Sequence, residues 1–194
     1  SWGGSESVTT LGIQDKLREM GYSLIDRDTA KTPEERGDLM RKAFFCDTYL
    51  MSSNAITEDG QLVNIDGNGN RVAAIIYGPK SVIVVAGVNK VVKSLDDAIS
   101  RTRNVASPIN TQRFGLDTPC AITGVCAACI RPDCICAYLT VTRVCRPAGK
   151  IKVALVGDVL GLREKSVRTT ARTVWACGLV LPTSPHGARL YCGH

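Results

Sequence analysis

Apolar positions at Val8, Leu11, Leu17 and Met20 recur with a roughly helical period behind Gly3-Gly4-Ser5, so the chain is expected to open on a helix. Residues 23–26 read as a short strand. Thr32 as N-cap, Pro33 at the first helical position and Glu35 two residues further in form a capping box that predicts the next helix. Residues 47–51 then predict a strand, 53–60 a polar loop and turn, and 61–66 an alternating return strand. The run Gly67-Asn68-Gly69-Asn70-Arg71 punctuates the chain ahead of an apolar helix at 72–77, which Pro79-Lys80 ends. Residues 81–87 are a Val/Ile run of the kind found in a strand buried on both faces of a parallel sheet. Ser94 with Asp97 caps a helix through about Asn104, Pro108 starts another, and 137–144 and 151–157 predict two further strands. Strands alternating with helices predict an α/β domain with a largely parallel sheet.

The pattern changes at Arg163. Beyond it the chain is rich in Thr, Arg, Pro and Gly without clear periodicity, although the run 175–181 could pack as an extra strand. The expected division is therefore a body at 1–162 and an unassigned tail at 163–194. At 194 residues, 44% hydrophobic and 22% charged, the chain has the composition of an ordinary globular protein. The net charge of +6 suggests nucleic acid until it is located: residues 163–194 hold five basic side chains against one acid, whereas the body is nearly neutral. Interspersed signs give little affinity for a phosphate backbone, so no nucleic-acid partner is expected. The longest apolar stretches fall far short of the ~20 residues a membrane-spanning helix needs, and the first residues lack the apolar core of a secretory signal. A cytoplasmic protein without membrane contact is expected.

Both histidines, His186 and His194, lie in the tail, which leaves the body without an imidazole for Ser-His-Asp or Cys-His chemistry. Five of nine cysteines fall between Cys120 and Cys136. In a reducing compartment such clustering points to metal more than to disulfides. Cys120, Cys126, Cys129 and Cys136 could supply four thiolates to an iron-sulfur cluster or, alternatively, to zinc, with Cys134 spare and the alternative being unligated thiols. The turn Gly67-Asn68-Gly69 resembles half of a dinucleotide fingerprint, but Val72 stands at the third glycine position and no acidic residue follows at the required distance. Gly78-Pro79-Lys80-Ser81 is likewise not a phosphate loop. What is left is either a glycine-asparagine turn that holds an anion with its amides and Arg71, or a tight structural turn. Gly3-Gly4-Ser5 at a helix start admits the same two readings. Among the loop carboxylates Glu6, Glu58, Asp59 and Asp66, Glu58 is the candidate acid, base or nucleophile.

Four segments together carry a family resemblance: WGGSES at residues 2–7, the stretch 53–92 beginning SNAITEDGQLVNIDGNGNR, AISRTRNVASPINTQR at 98–113, and the loop holding Cys120, Cys126, Cys129, Pro132-Asp133 and Cys136. Over residues 1 to about 162 the chain resembles the LUD domain, the former DUF162 family of lactate utilisation proteins. The resemblance implies a Rossmann-like three-layer α/β fold with a mostly parallel sheet, related to the isomerase and CoA-transferase group. It also implies a role beside iron-sulfur partner subunits in oxidising lactate or a related organic acid. By analogy with that group, an anionic small-molecule ligand is expected at Gly3, Gly4, Ser5, Asn54, Gly69, Asn70 and Arg71, with Glu58 as the catalytic carboxylate. Family members carry more chain before the WGGSES motif, so the domain is expected to lack its N-terminal part, and Cys134 stands where similar sequences have arginine. The alternatives are a stand-alone isomerase or CoA-transferase-like enzyme and a non-catalytic, zinc-stabilised binding domain.

Overall fold

A computed structural model describes residues 1–161 and 178–181. Two short helices open the chain, α1 (Glu6–Thr10) and α2 (Ile13–Glu19), followed by α3 (Pro33–Lys42). Then come β1 (Thr48–Met51), β2 (Ala55–Thr57), β3 (Leu62–Asp66), α4 (Asn70–Ile76), β4 (Ser81–Gly87) and β5 (Val91–Val92). The helices α5 (Leu95–Arg101), α6 (Ser107–Arg113) and α7 (Pro119–Thr123) precede β6 (Tyr138–Thr142), β7 (Ile151–Val156) and β8 (Gly178–Leu181). One sheet has the order β1-β4-β7-β8 and is parallel throughout. The second, β5-β2-β3-β6, is mixed, with β2-β3 and β3-β6 antiparallel and β2-β5 parallel. The architecture is the α/β, Rossmann-like arrangement expected from the sequence.

β4 is the centre of the parallel sheet, and its lack of polar alternation has the anticipated cause. Val82, Val84 and Ala86 pack with Tyr49, Met51, Ile75, Val153 and Leu155 on one face. Val85 packs with Val8, Ala154 and Leu160 on the other, so both faces are dry. Each fully buried valine contributes about 1.5–3 kcal/mol of hydrophobic stabilisation, which fixes β4 as the rigid element from which the neighbouring loops project. A third cluster, Ala55, Val63 and Ala98, seats α5 on the mixed sheet.

Several local expectations are corrected. The opening helix breaks in two because Gly12 adopts a left-handed conformation, with φ of 63°, between α1 and α2. Residues 23–26 pair with no strand; Asp26 instead accepts from the Asp28 amide at 2.9 Å and starts a 3₁₀ turn at Arg27–Thr29. At α3, Thr32 Oγ1 accepts from Glu35 N as a capping box requires, but Glu35 Oε2 accepts from Lys31 N, one residue earlier. The middle of the loop read at 53–60 hides β2, too short to show alternation. α5 does not stop before Pro108 but runs into α6 through a π-helical turn at Thr102–Ala106. That turn widens the ladder where the proline lacks an N–H. Gly178–Leu181, within the run noted at 175–181, adds in parallel to β7. Among the described residues no helix is long and apolar enough to cross a membrane.

Candidate functional site

β1 and β4 run parallel, β1 ending at Met51 opposite Val84 and β4 continuing to Gly87, so the segments that leave their C-terminal ends, Ser52-Ser53-Asn54 and the 3₁₀ turn Val88–Lys90, emerge at the same edge of the sheet. Ligand sites of open α/β sheets collect at this edge. Here the edge is roofed by the N-terminal turn, by Arg27 and Arg36, by the Asp66–Arg71 turn and by the α5–α6 face, leaving a cleft of about 760 Å³. The N-terminal turn is held by the sheet itself: Gly3 N donates to Leu50 O at 2.8 Å and Leu50 N donates to Ser1 O at 2.9 Å, beside β1.

The cleft is rich in cations. Arg27, Arg36, Arg71, Lys90, Arg101 and Arg113 line it. Its carboxylates are paired: Glu6 to Arg113 at 2.7 Å and Asp28 to Arg36 at 3.2 Å, both cations of the cleft itself, and Asp133 to Arg131 at 3.0 Å. Arg27 stands out because its guanidinium makes no hydrogen bond among the described residues; its buried Nε is without a partner and only Asp28 approaches, at 3.8 Å. A buried, unpaired donor on a charged group is costly, and a ligand acceptor would relieve it.

Lys90 is held differently. Its Nζ donates to Ser7 Oγ at 2.9 Å and to Ser52 Oγ at 2.8 Å and pairs with no carboxylate among the described residues. Burial, reinforced by the guanidiniums of Arg101 and Arg71, pushes its ammonium down to about 7. The left-handed Gly161 closes over it: a Cβ there would lie 3.0 Å from Ser7 Oγ and 3.7 Å from Lys90 Nζ.

The residues expected to bind an anion divide between those that face the cleft and those that build it. Gly4, Ser5, Asn54, Asn70 and Arg71 line it, whereas Gly3 and Gly69 do not. Gly3 packs instead, with the Arg71 stem and Tyr49 hydroxyl each 3.2 Å from where its Cβ would be. Gly4 lies against Arg27, whose Nη2 would be 2.5 Å from a Cβ, so a larger residue there would displace the end of that side chain. Ser5 Oγ accepts from Val8 N at 3.4 Å and caps α1. Arg71 is a structural staple. Its Nη1 donates to Ser52 O at 3.0 Å and Asn64 Oδ1 at 2.6 Å, and its Nη2 donates to Asn54 Oδ1 at 2.9 Å and Ile65 O at 2.5 Å. Arg101 Nη1 donates to Asn54 O at 2.5 Å, so Asn54 is tied on both sides.

The glycine-asparagine turn already holds an anion of its own. The Asp66 carboxylate accepts from the amides of Asn68 (3.2 Å), Gly69 (3.1 Å), Arg71 (2.9 Å) and Val72 (3.2 Å), occupying the donors a phosphate would use. Gly69 supplies the φ of 77° that lets the turn close. Of the two readings of this turn, the structural one describes its geometry.

Glu58 is not at the cleft. It is exposed on the hairpin turn between β2 and β3, its amide donating to Val92 O, and it lies about four residues of chain, some ~10 Å or more, beyond Asn54 along β2. The short β2 carries it away from the strand ends where the ligand-facing groups meet. The cysteine loop is also rearranged. Cys120, in α7, is buried against α6, with Thr111 Oγ1 at 3.5 Å and Thr118 Oγ1 at 3.4 Å. Cys126, Cys129 and Cys134 surround Cys136 closely enough that, after burial, their charges help push its thiol up to about 11. Yet among the described residues no three His, Cys, Asp or Glu side chains are placed to hold a metal ion. The expected donor set Cys120, Cys126, Cys129 and Cys136 is thereby divided, Cys120 packing in the core while the other three lie with Cys134 in the loop.

Sequence patterns missed Arg27 and Lys90. Arg27 follows no motif. Lys90 had a legible signal, a lysine three residues beyond the end of the doubly buried strand β4, where an α/β sheet places its ligand chemistry.

The LUD domain family model matches residues 1–156. No curated protein and no solved structure matches the chain.

Proposed function

The chain belongs to the LUD domain family, and from that premise we propose that this lactate-utilisation-type domain receives a small anionic ligand in the cleft at the ends of β1 and β4. On this reading it serves as a subunit or accessory protein in the oxidation of lactate or a related organic acid. The observation that carries the reading is the Arg27 guanidinium, buried at Nε, without a hydrogen bond among the described residues, and lining a cleft whose carboxylates are already paired. An entering carboxylate or phosphate supplies the acceptors that Arg27 lacks. Arg71 and Arg101 contribute indirectly, by fixing Ser52–Asn54 against Ile65 and Asn89 so that the cleft is formed before the ligand arrives.

The alternative of an isomerase or transferase acting through a loop carboxylate loses its residue, since Glu58 lies outside the cleft and Asp66 is saturated by backbone amides.

Thermal-shift measurements with lactate, pyruvate, phosphorylated sugars and CoA esters test the proposal. At least one of these anions is expected to raise the Tm of the wild-type protein, and Arg27→Met is expected to weaken that ligand about tenfold or more. The absence of a shift with every anion, or an undiminished shift in Arg27→Met, would overturn it.

A further inference from the structure

We propose that Lys90 is a carbonyl-reactive amine that forms an imine with a small anionic carbonyl compound in the cleft. The inference rests on the anion-binding reading and adds a chemical class to it: the ligand carries an aldehyde or ketone as well as its negative charge.

Placement is the first argument. Lys90 closes the 3₁₀ turn Val88–Lys90 that joins β4 to β5 and lines the cleft together with Arg27. A nucleophile there is held by the sheet rather than by a mobile loop. The second argument is its hydrogen bonding. A lysine buried for structure alone is ordinarily paired with a carboxylate. Lys90 has two serine hydroxyls instead, Ser7 from α1 and Ser52 from the end of β1. Hydroxyls serve the two protonation states equally well, because each accepts from an ammonium and donates to a neutral amine. A carboxylate would lock the ammonium in place and abolish nucleophilicity.

The third argument is the charge around it. The guanidiniums nearest Lys90 are those of Arg71 and Arg101, and they oppose a third positive charge. Desolvation combined with a cationic neighbour is the usual means of obtaining a neutral lysine near physiological pH. The resulting fall of its pKa to about 7 leaves roughly half the molecules with a lone pair available at neutrality. The cleft carboxylates Glu6 and Asp66 are occupied, Glu6 by Arg113 and Asp66 by backbone amides.

The step is balanced without an external redox partner. The neutral amine attacks the carbonyl carbon, and the carbonyl π pair moves to oxygen, which takes a proton. The carbinolamine then loses that oxygen as water, the two hydrogens of the amine being replaced by the carbon–nitrogen double bond. The anionic group of the ligand is positioned by Arg27, and the imine, once protonated, is an electron sink for a bond next to the former carbonyl carbon.

The test is borohydride trapping on the intact wild-type protein near pH 7, with pyruvate in one arm and glyceraldehyde 3-phosphate in the other, followed by peptide mass mapping. Hydride reduction of the imine leaves a stable secondary amine, and the adduct is expected on Lys90 at about ten times the level of any other lysine with at least one probe. The arm that labels identifies an oxo-carboxylate or a phosphorylated aldehyde. Lys90→Arg is expected to lose the dominant adduct, while the wild-type measurement does not depend on that variant folding. No adduct on Lys90, or an adduct spread evenly over exposed lysines, would overturn the imine. Lactate, which has no carbonyl, and phosphate are added in a parallel thermal-shift arm. A shift there without trapping refutes the imine and leaves the anion site standing, whereas the absence of both refutes both.

Discussion

Replacing Lys90 by methionine isolates the energetic consequence of burying an amine among guanidiniums. In the native protein Lys90 loses its proton near pH 7, against an ordinary value of 10.5. Between those limits the unfolded chain therefore binds more protons at this position than the folded one, and stability must rise with pH. Below about pH 6 both states are protonated and the contribution is flat at its least favourable level. Through the window from about pH 6.5 to about 8.5, the difference between the two binding curves amounts to about 2 kcal/mol of added stability. Methionine keeps much of the aliphatic stem and removes the titration. Urea unfolding of both proteins across that window checks this. The wild-type free energy should climb relative to the variant by about 2 kcal/mol, with Lys90→Met the more stable protein at the acid end if the lost serine contacts cost less than the relieved charge. Parallel pH curves would show that Lys90 titrates normally and that the cationic surroundings of Arg71 and Arg101 are screened by solvent.

Asp66→Ala removes the acceptor for four backbone amides and is expected to lower stability by about 2–3 kcal/mol, read as a drop in urea midpoint with an unchanged slope. A loss under about 0.5 kcal/mol would show that water replaces the carboxylate without cost. Glu58→Gln is expected to leave both the Tm and the anion-induced thermal shift unchanged, because the side chain is exposed on the β2–β3 turn; a lost shift would return Glu58 to the cleft. Brief alkylation mapped by mass spectrometry should modify Cys126, Cys129 and Cys134 in the native protein but Cys120 only after unfolding, since Cys120 is 8% exposed. Equal labelling of Cys120 would contradict its burial between α7 and α6.

The sequence alone determined the elements whose signal is local. The β4 run, the Ser94–Asp97 cap of α5 and the Gly69 turn are each specified by residues within a few positions of one another, so backbone preferences and side-chain period suffice. It also indicated the cleft's neighbourhood through Gly4, Ser5, Asn54, Asn70 and Arg71, all of which reach the same cavity. Which of these groups face a ligand was decided only by the tertiary structure. Arg71 looks like an anion binder in one dimension, yet its donors are taken by Ser52, Asn54, Asn64 and Ile65, which reach it only when β1 and β3 have paired with their neighbours. Likewise Cys120 belongs to the cysteine loop by spacing and to the core by packing, and Glu58 is removed from the cleft by a strand of three residues. Lys90 acquires its character from Ser7, Ser52, Arg71 and Arg101, the first of them 83 positions away in the chain. Burial and charge proximity are properties of the assembled fold, and a residue's ionisation depends on them rather than on its neighbours in sequence.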